Sequence, residues 1–322
     1  MFGLRKNLSF NRRLRRALVI SAVVVTAVPM ALEPLGTPVS AAGQGRGRIR
    51  ERIQERRAQR GQREKQTAEE THQIAGLNVG FWKPAQRTGA PLIVFSHGFS
   101  GCHTQSAFLM EAMADAGYLV AAPDHKDAGC GDRTHAGRPE EKFGQADNWS
   151  DKTYADRGDD IKRLVEALRA DREWRSQIDW SRVGLVGHSL GGYTVLGLAG
   201  GWPNWRMSGI KAVVALSPYC EPFAVKGDLD SVRIPVMYQG GTRDIGVTPS
   251  VKKAGGCFAK TASPAVFVEF EKAGHFAWTN LVDTHQDIIT RYTLAFLDEY
   301  VRGISTASLV SREAGIADLR TK

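Results

Sequence analysis

The chain has 322 residues, 42% of them hydrophobic, with 43 basic against 34 acidic side chains and a formal net charge of +9. The excess is confined to the front: residues 1–41 carry six basic and one acidic side chain, residues 42–66 nine basic and three acidic. The remaining residues 67–322 are net −2, which excludes a basic nucleic-acid-binding domain as the source of the charge.

From the N-terminus, Arg5, Lys6, Arg12, Arg13, Arg15 and Arg16 precede an apolar run from Ala17 to Leu32, which Pro29 interrupts. Small residues follow around Ala41 and Ala42. A charged start, a short apolar stretch and a small-residue site predict a secretory signal over residues 1–42, and hence a secreted or periplasmic protein. The run is shorter than the roughly 20 apolar residues a membrane span needs, which disfavours an anchored form. Residues 43–70 then read as a flexible basic arm, with almost nothing apolar beyond Ile49 and Ile53 in residues 43–66. As a partner surface the arm suits weak attachment to an anionic surface. It lacks the aromatic residues that bind nucleic acid.

Residues 71–303 have the length and alternation of one α/β domain with a mainly parallel sheet, helices on its faces and no large separate lid. Gly76–Trp82 reads as an edge strand. Pro91–Ser96 reads as a buried strand that breaks into the loop His97-Gly98-Phe99-Ser100-Gly101. Tyr118–Ala122 is a second buried strand, and Ala107–Ala116, Asp159–Ala170 and Gln286–Val301 have helical apolar spacing. Lys126–Tyr154 is charged and glycine-rich and is expected as a loop on the strand-end face, open to reading as a cover or as plain surface. At its start, Asp124-His125-Lys126-Asp127 reads as strand-end structure rather than a metal cluster. Residues 304–322 are expected as a polar tail.

The chemistry is concentrated in Val183-Gly184-Leu185-Val186-Gly187-His188-Ser189-Leu190-Gly191-Gly192. An apolar strand running into Gly-x-Ser-x-Gly and a small-residue helix is the pattern of a nucleophile elbow. A serine hydroxyl needs a base beside it and N–H donors in front of it. After further strand-like runs, Asp244 follows Ile234–Gln239 and His275 follows Ala265–Phe270, giving the order Ser, Asp, His. His275 is the expected base and Asp244 the group that orients it. Asp228 and Asp230 precede their strand and so lie at its wrong end. The backbone N–H groups of Leu190 and Phe99 are the expected oxyanion donors.

These pieces resemble the α/β-hydrolase superfamily. From Pro91 to Cys220 the chain is similar to the platelet-activating-factor acetylhydrolase and bacterial serine esterase group. The likeness rests on Val94-Phe95-Ser96-His97-Gly98, Ala121-Ala122-Pro123-Asp124-His125, Arg157-Gly158-Asp159-Asp160-Ile161 and Gly187-His188-Ser189-Leu190-Gly191-Gly192-Tyr193. Cutinase-like polyester hydrolases share the core arrangement. The resemblance implies a carboxylic ester hydrolase working through an acyl-enzyme, with no cofactor.

Phe99, Trp149, Phe276 and Trp278 are candidate walls of an acyl pocket. Substrates of short-acyl, phospholipid-acetyl or polyester type are all open, and the protein is expected to act as a monomer. A serine peptidase or acyltransferase on the same scaffold, or a non-catalytic binding protein held by its arm, are the alternatives. Four cysteines, Cys102, Cys130, Cys220 and Cys257, suit two disulfides in an exported chain. The expected pairs are Cys102 with Cys130 and Cys220 with Cys257, because each pair falls on neighbouring loops. No metal is expected, since no Cys-x-x-Cys spacing occurs.

Overall fold

The computed structural model describes residues 70–129, 137–262, 264–306, 309 and 311–322. The expected signal and nearly all of the expected arm, and Cys130, lie outside the described residues. Among the described residues nine strands form one sheet: β1 (Glu70–Ile74), β2 (Leu77–Trp82), β3 (Ala90–Ser96), β4 (Leu119–Pro123), β5 (Ile178–His188), β6 (Ile210–Leu216), β7 (Val236–Gly241), β8 (Ala265–Phe270) and β9 (Ile316–Thr321), in the order β1-β2-β4-β3-β5-β6-β7-β8-β9. The six strands from β4 to β8 run parallel, and antiparallel strands close both edges.

The central strands are buried on both faces, so their sequences are apolar runs and their side chains divide by parity. Leu92 and Val94 of β3 and Val213 and Ala215 of β6 face one core; Ile93, Phe95, Val214 and Leu216 face the other. The first core is covered by α2 (Ala155–Ala170), α3 (Arg172–Gln177) and α4 (Leu190–Leu196), with the shorter α5 (Glu221–Val225), α6 (Thr248–Lys252) and α7 (Cys257–Lys260). The second is covered by α1 (Ala107–Asp115) and α8 (Gln286–Leu297). Each fully buried aliphatic side chain contributes roughly 1.5–3 kcal/mol.

Both ends of the domain differ from the sequence expectation. The strand read at Gly76–Trp82 is not the edge: β1 begins at Glu70 and pairs outside it. Ala75 and Gly76, both at positive φ, form the two-residue turn that matches hairpin twist. The expected polar tail carries β9, antiparallel to β8, with Ile316 buried. The last helix is α-helical only to Leu297 and finishes as a π-helical turn, Asp298–Arg302. Cys220 and Cys257 are joined, with Cα atoms 6.3 Å apart, tying the segment after β6 to α7. Cys102 is also disulfide-bonded.

Candidate active site

Parallel strands in register deliver their C-terminal ends to one rim, and the chemistry-bearing residues gather there. Ser189 leaves β5 at φ 55°, ψ −113°, a strained conformation for a residue with a side chain, and α4 starts at the next residue. The turn is possible only without side chains around it. A Cβ on Gly187 would lie 2.2 Å from the Gly191 carbonyl oxygen, and one on Gly191 would lie 1.9 Å from the Ser96 carbonyl oxygen. The Ser189 N–H donates to Leu216 O of the neighbouring β6, fixing the elbow to the sheet.

Asp244, Ser189 and His275 come together. His275 Nε2 is 3.0 Å from Ser189 Oγ, and His275 Nδ1 is 3.2 Å from Asp244 Oδ1. The carboxylate is buried, whereas the imidazole keeps 28% of its side-chain surface open to solvent. Asp244 can only accept, so the imidazole proton sits on Nδ1 and Nε2 is free to receive the serine proton. A residue that sequence reasoning missed joins them. Ser217, at φ 44° just beyond β6, lies 2.8 Å from His275 Nδ1 and donates its hydroxyl to Asp244 Oδ2. Thr248 Oγ1 donates to the same carboxylate oxygen at 3.3 Å.

The loop after β3 lies over the nucleophile: a Cβ on Gly98 would be 3.4 Å from Ser189 Cβ. Its carbonyls are held from behind by Arg157 of α2, a fully buried guanidinium that also forms a two-pronged pair with Asp127 at 2.8 and 2.9 Å. Arg157 donates to His97 O at 2.7 Å and to Gly98 O at 3.3 Å. Asp127 in turn accepts from the Ser100 N–H at 3.2 Å. In a trans peptide the N–H points opposite the C=O, so the Phe99 N–H is turned away from the guanidinium. Leu190 is the first residue of α4, where an N–H has no acceptor within the helix.

A second serine, histidine and aspartate line up beneath this loop. Ser96 Oγ is 2.9 Å from His125 Nε2, and His125 Nδ1 is 2.9 Å from Asp160 Oδ2. Ser96 has no solvent exposure, so no substrate reaches it. Burial, and then the charge of Arg157, holds His125 well below its ordinary pKa. Burial raises Asp160, despite the opposing charge of Arg163.

The other residues after β4 are structural as well. Burial would raise the Asp124 carboxyl, but hydrogen bonds from His103 and Asn78 outweigh it and bring the pKa to about 2. Cys102, His103 and Asp124 lie close enough to suggest metal ligands, but the cysteine sulfur is engaged in a disulfide. A groove of 1430 Å³ on the flank, between α1 and α8, has no serine, histidine or cysteine among its lining residues.

The four expected pocket walls divide. Phe276 stands beside His275, ring centroids 5.5 Å apart, and is 56% exposed. Phe99 is partly buried and packs on Phe143, centroids 5.8 Å apart, which the sequence did not single out. Trp149 and Trp278 are not walls, because both are fully buried. Each indole N–H is satisfied from inside, Trp149 by Lys142 O at 3.2 Å and Trp278 by Gln239 Oε1 at 2.8 Å. Trp149 instead fills a core between Tyr154, Tyr193 and Tyr219.

The family model described as alpha/beta hydrolase fold matches residues 91–253. Among curated proteins the chain is similar to Cutinase 2 of Thermobifida cellulosilytica, 26% identical over 220 residues that cover 68% of this chain and 71% of that one. It is equally similar to Cutinase cut1 of Thermobifida fusca, of which the aligned segment spans 58%. A platelet-activating factor acetylhydrolase of Cavia porcellus is 26% identical over 36% of this chain and 33% of its own. The matched residues run from β3 past β7 and include the elbow and Asp244, and this chain belongs to the α/β-hydrolase fold family.

Proposed function

We propose that the chain is a serine hydrolase of carboxylic esters, with Ser189 as nucleophile, His275 as general base and acid, and Asp244 as its orienting carboxylate. The observation that carries this reading is the 3.0 Å contact between Ser189 Oγ and the acceptor nitrogen of His275, with the serine held on a strained elbow. In this reading His275 Nε2 takes the hydroxyl proton as Ser189 Oγ attacks the carbonyl carbon. The carbonyl π-electrons move to oxygen, and the oxyanion meets the N–H groups of Leu190 and Phe99. The C–O bond to the alcohol then breaks, and the imidazolium returns its proton to the departing oxygen. Water repeats the sequence on the acyl-enzyme and frees the acid.

The names of the relatives, cutinases and a platelet-activating factor acetylhydrolase, support an ester as the substrate. The rim supports a short-acyl ester or an accessible polyester. Phe276 beside His275, Phe143 beside Phe99 and Ile245, which follows Asp244, are 56%, 41% and 84% exposed, leaving apolar surface next to these residues. Export is part of the proposal, and disulfide-engaged cysteines at 102, 220 and 257 support it, because such bonds persist in oxidising compartments. In this reading residues 43–66 act as a spacer with weak affinity for anionic surfaces.

The test is hydrolysis of p-nitrophenyl esters from acetate to palmitate by the wild type and Ser189→Ala. Turnover that falls by a factor of about 10⁴ or more in the variant supports the reading. Equal turnover in both would overturn it. The fall-off with chain length sizes the acyl site.

A further inference from the structure

One chain of hydrogen bonds runs across the nucleophile and links two loops from different strands. Gln105 Oε1 accepts from the Gly98 N–H at 3.0 Å. Its amide nitrogen is 3.0 Å from His188 Nδ1, and His188 Nε2 is 2.9 Å from the His275 carbonyl oxygen. The last contact fixes every orientation. A carbonyl only accepts, so His188 carries its proton on Nε2. Nδ1 is therefore an acceptor, Gln105 must present its NH₂ group there, and its oxygen is left for Gly98. The two loops are also stitched directly: the Asn280 N–H donates to Gln105 O at 2.9 Å, and Ser106 Oγ donates to Trp278 O at 2.7 Å.

We propose that Gln105 and His188 are positioning residues that hold the Gly98–Phe99 loop and His275 in register on either side of Ser189. The proposal rests on the reading of Ser189 and His275 as nucleophile and base. His188 is 2% exposed and stacks between the catalytic side and the core, with its ring 5.0 Å from that of His275 and 6.3 Å from that of Trp278. It touches the backbone of His275 and not its reacting nitrogen, and so acts through its neighbour. Glycine at positions 98 and 101, where the chain passes close to Gln105, fits this role. A Cβ on Gly98 would lie 3.1 Å from His188 Nδ1 and 3.2 Å from Gln105 Oε1. One on Gly101 would lie 2.1 Å from Gln105 Oε1. A neutral imidazole is what the chain needs. Burial, followed by the nearby charge of His275, lowers His188 to about 3, against a hydrogen bond to the His275 carbonyl that raises it.

Three variants and one spectrum test this. His188→Phe keeps a ring and removes both polar atoms, Gln105→Leu removes the first link, and His188→Gln restores a donor able to reach His275 O. With p-nitrophenyl butyrate, the first two should lower kcat roughly ten- to a hundred-fold with KM unchanged, because small displacements of reacting groups cost that much. His188→Gln should recover most of the loss relative to His188→Phe even where their melting temperatures agree. A kcat that follows melting temperature across all three, or a change in KM alone, would overturn the proposal. Should the phenylalanine variant not fold, ¹⁵N resonances of the wild-type imidazoles decide. A neutral His188 with its proton on Nε2 supports the chain, and a proton on Nδ1 refutes it. Absence of any Ser189-dependent turnover in the wild type would instead defeat the underlying hydrolase reading.

Discussion

Among the described residues two lines of serine, histidine and aspartate are built with almost the same distances, and only the one proposed to act lies on the strand-end rim with a partly exposed histidine. Ser189 contacts its histidine at 3.0 Å and Ser96 contacts His125 at 2.9 Å. What separates them is position. Ser96 is the last residue of β3, in ordinary strand backbone and sealed from solvent. Ser189 is the first residue beyond β5, at φ 55°, with a partly exposed histidine. The surroundings of the two carboxylates differ too. Burial raises Asp160, whereas Asp244 is held by two hydroxyl donors, Ser217 and Thr248, as well as His275. Three residue types at hydrogen-bond distance are therefore a common structural device, and a reacting site needs the rim, the strained turn and the N–H donors in addition.

The sharpest way to break this contrast is to remove each serine. Ser189→Ala should cost a factor of about 10⁴ or more in kcat with ester substrates. Ser96→Ala should keep the activity and instead lower stability in chemical denaturation by about 1–3 kcal/mol, by leaving a buried His125 nitrogen unpaired. Loss of activity with full stability in Ser96→Ala would reverse the assignment.

Arg157→Met comes next. It strips the partner from a mostly buried Asp127 and should destabilise the fold by about 3–5 kcal/mol, read as a lower melting temperature, while loosening the Gly98–Phe99 loop. Ser217→Ala should be milder. Asp244 keeps Thr248 and His275, so the loss is about 1.4 kcal/mol of transition-state stabilisation, roughly ten-fold in kcat. Unchanged kcat would show that Ser217 does not support the Asp244–His275 pair in the reaction.

The smallest effect is a slope with pH. His97, His125 and His188 are all held below the ordinary value of 6.5, chiefly by burial. The unfolded chain therefore binds protons that the folded chain refuses. Stability should be unaffected by these groups above about pH 6.5 and should fall as pH drops below it, for His188 until about pH 3. The slope is at most ~1.4 kcal/mol per pH unit for each histidine, and urea unfolding across this range measures it. Stability that rises on acidification would contradict the burial of these rings.

How much of this was legible follows from pattern. The convergence of Ser189, Asp244 and His275 could be read because each follows an apolar strand run, and parallel strands put such positions on one rim. The partners of Gln105, Arg157 and Ser217 were not legible, although at 83, 60 and 58 residues His188, His97 and His275 lie no farther from them than the 86 residues that separate Ser189 from His275. A glutamine, an arginine and a serine carry no pattern that announces such contacts. β9 escaped because it is an edge strand with few apolar residues, Ala-Asp-Leu-Arg-Thr following Ile316. The two tryptophans misled because a large aromatic near a motif serves the core as readily as a cleft.

The elbow has a consequence for folding as well as for chemistry. At φ 55°, ψ −113°, Ser189 sits where a side chain is unwelcome, at a cost of order 1–3 kcal/mol. Glycine accepts such angles freely. Ser189→Gly should therefore melt higher than the wild type while being inert. The native sequence accordingly gives up some thermal endurance at its proposed nucleophile, and the glycine form would be a sturdy vessel for holding uncleaved ester in the cleft.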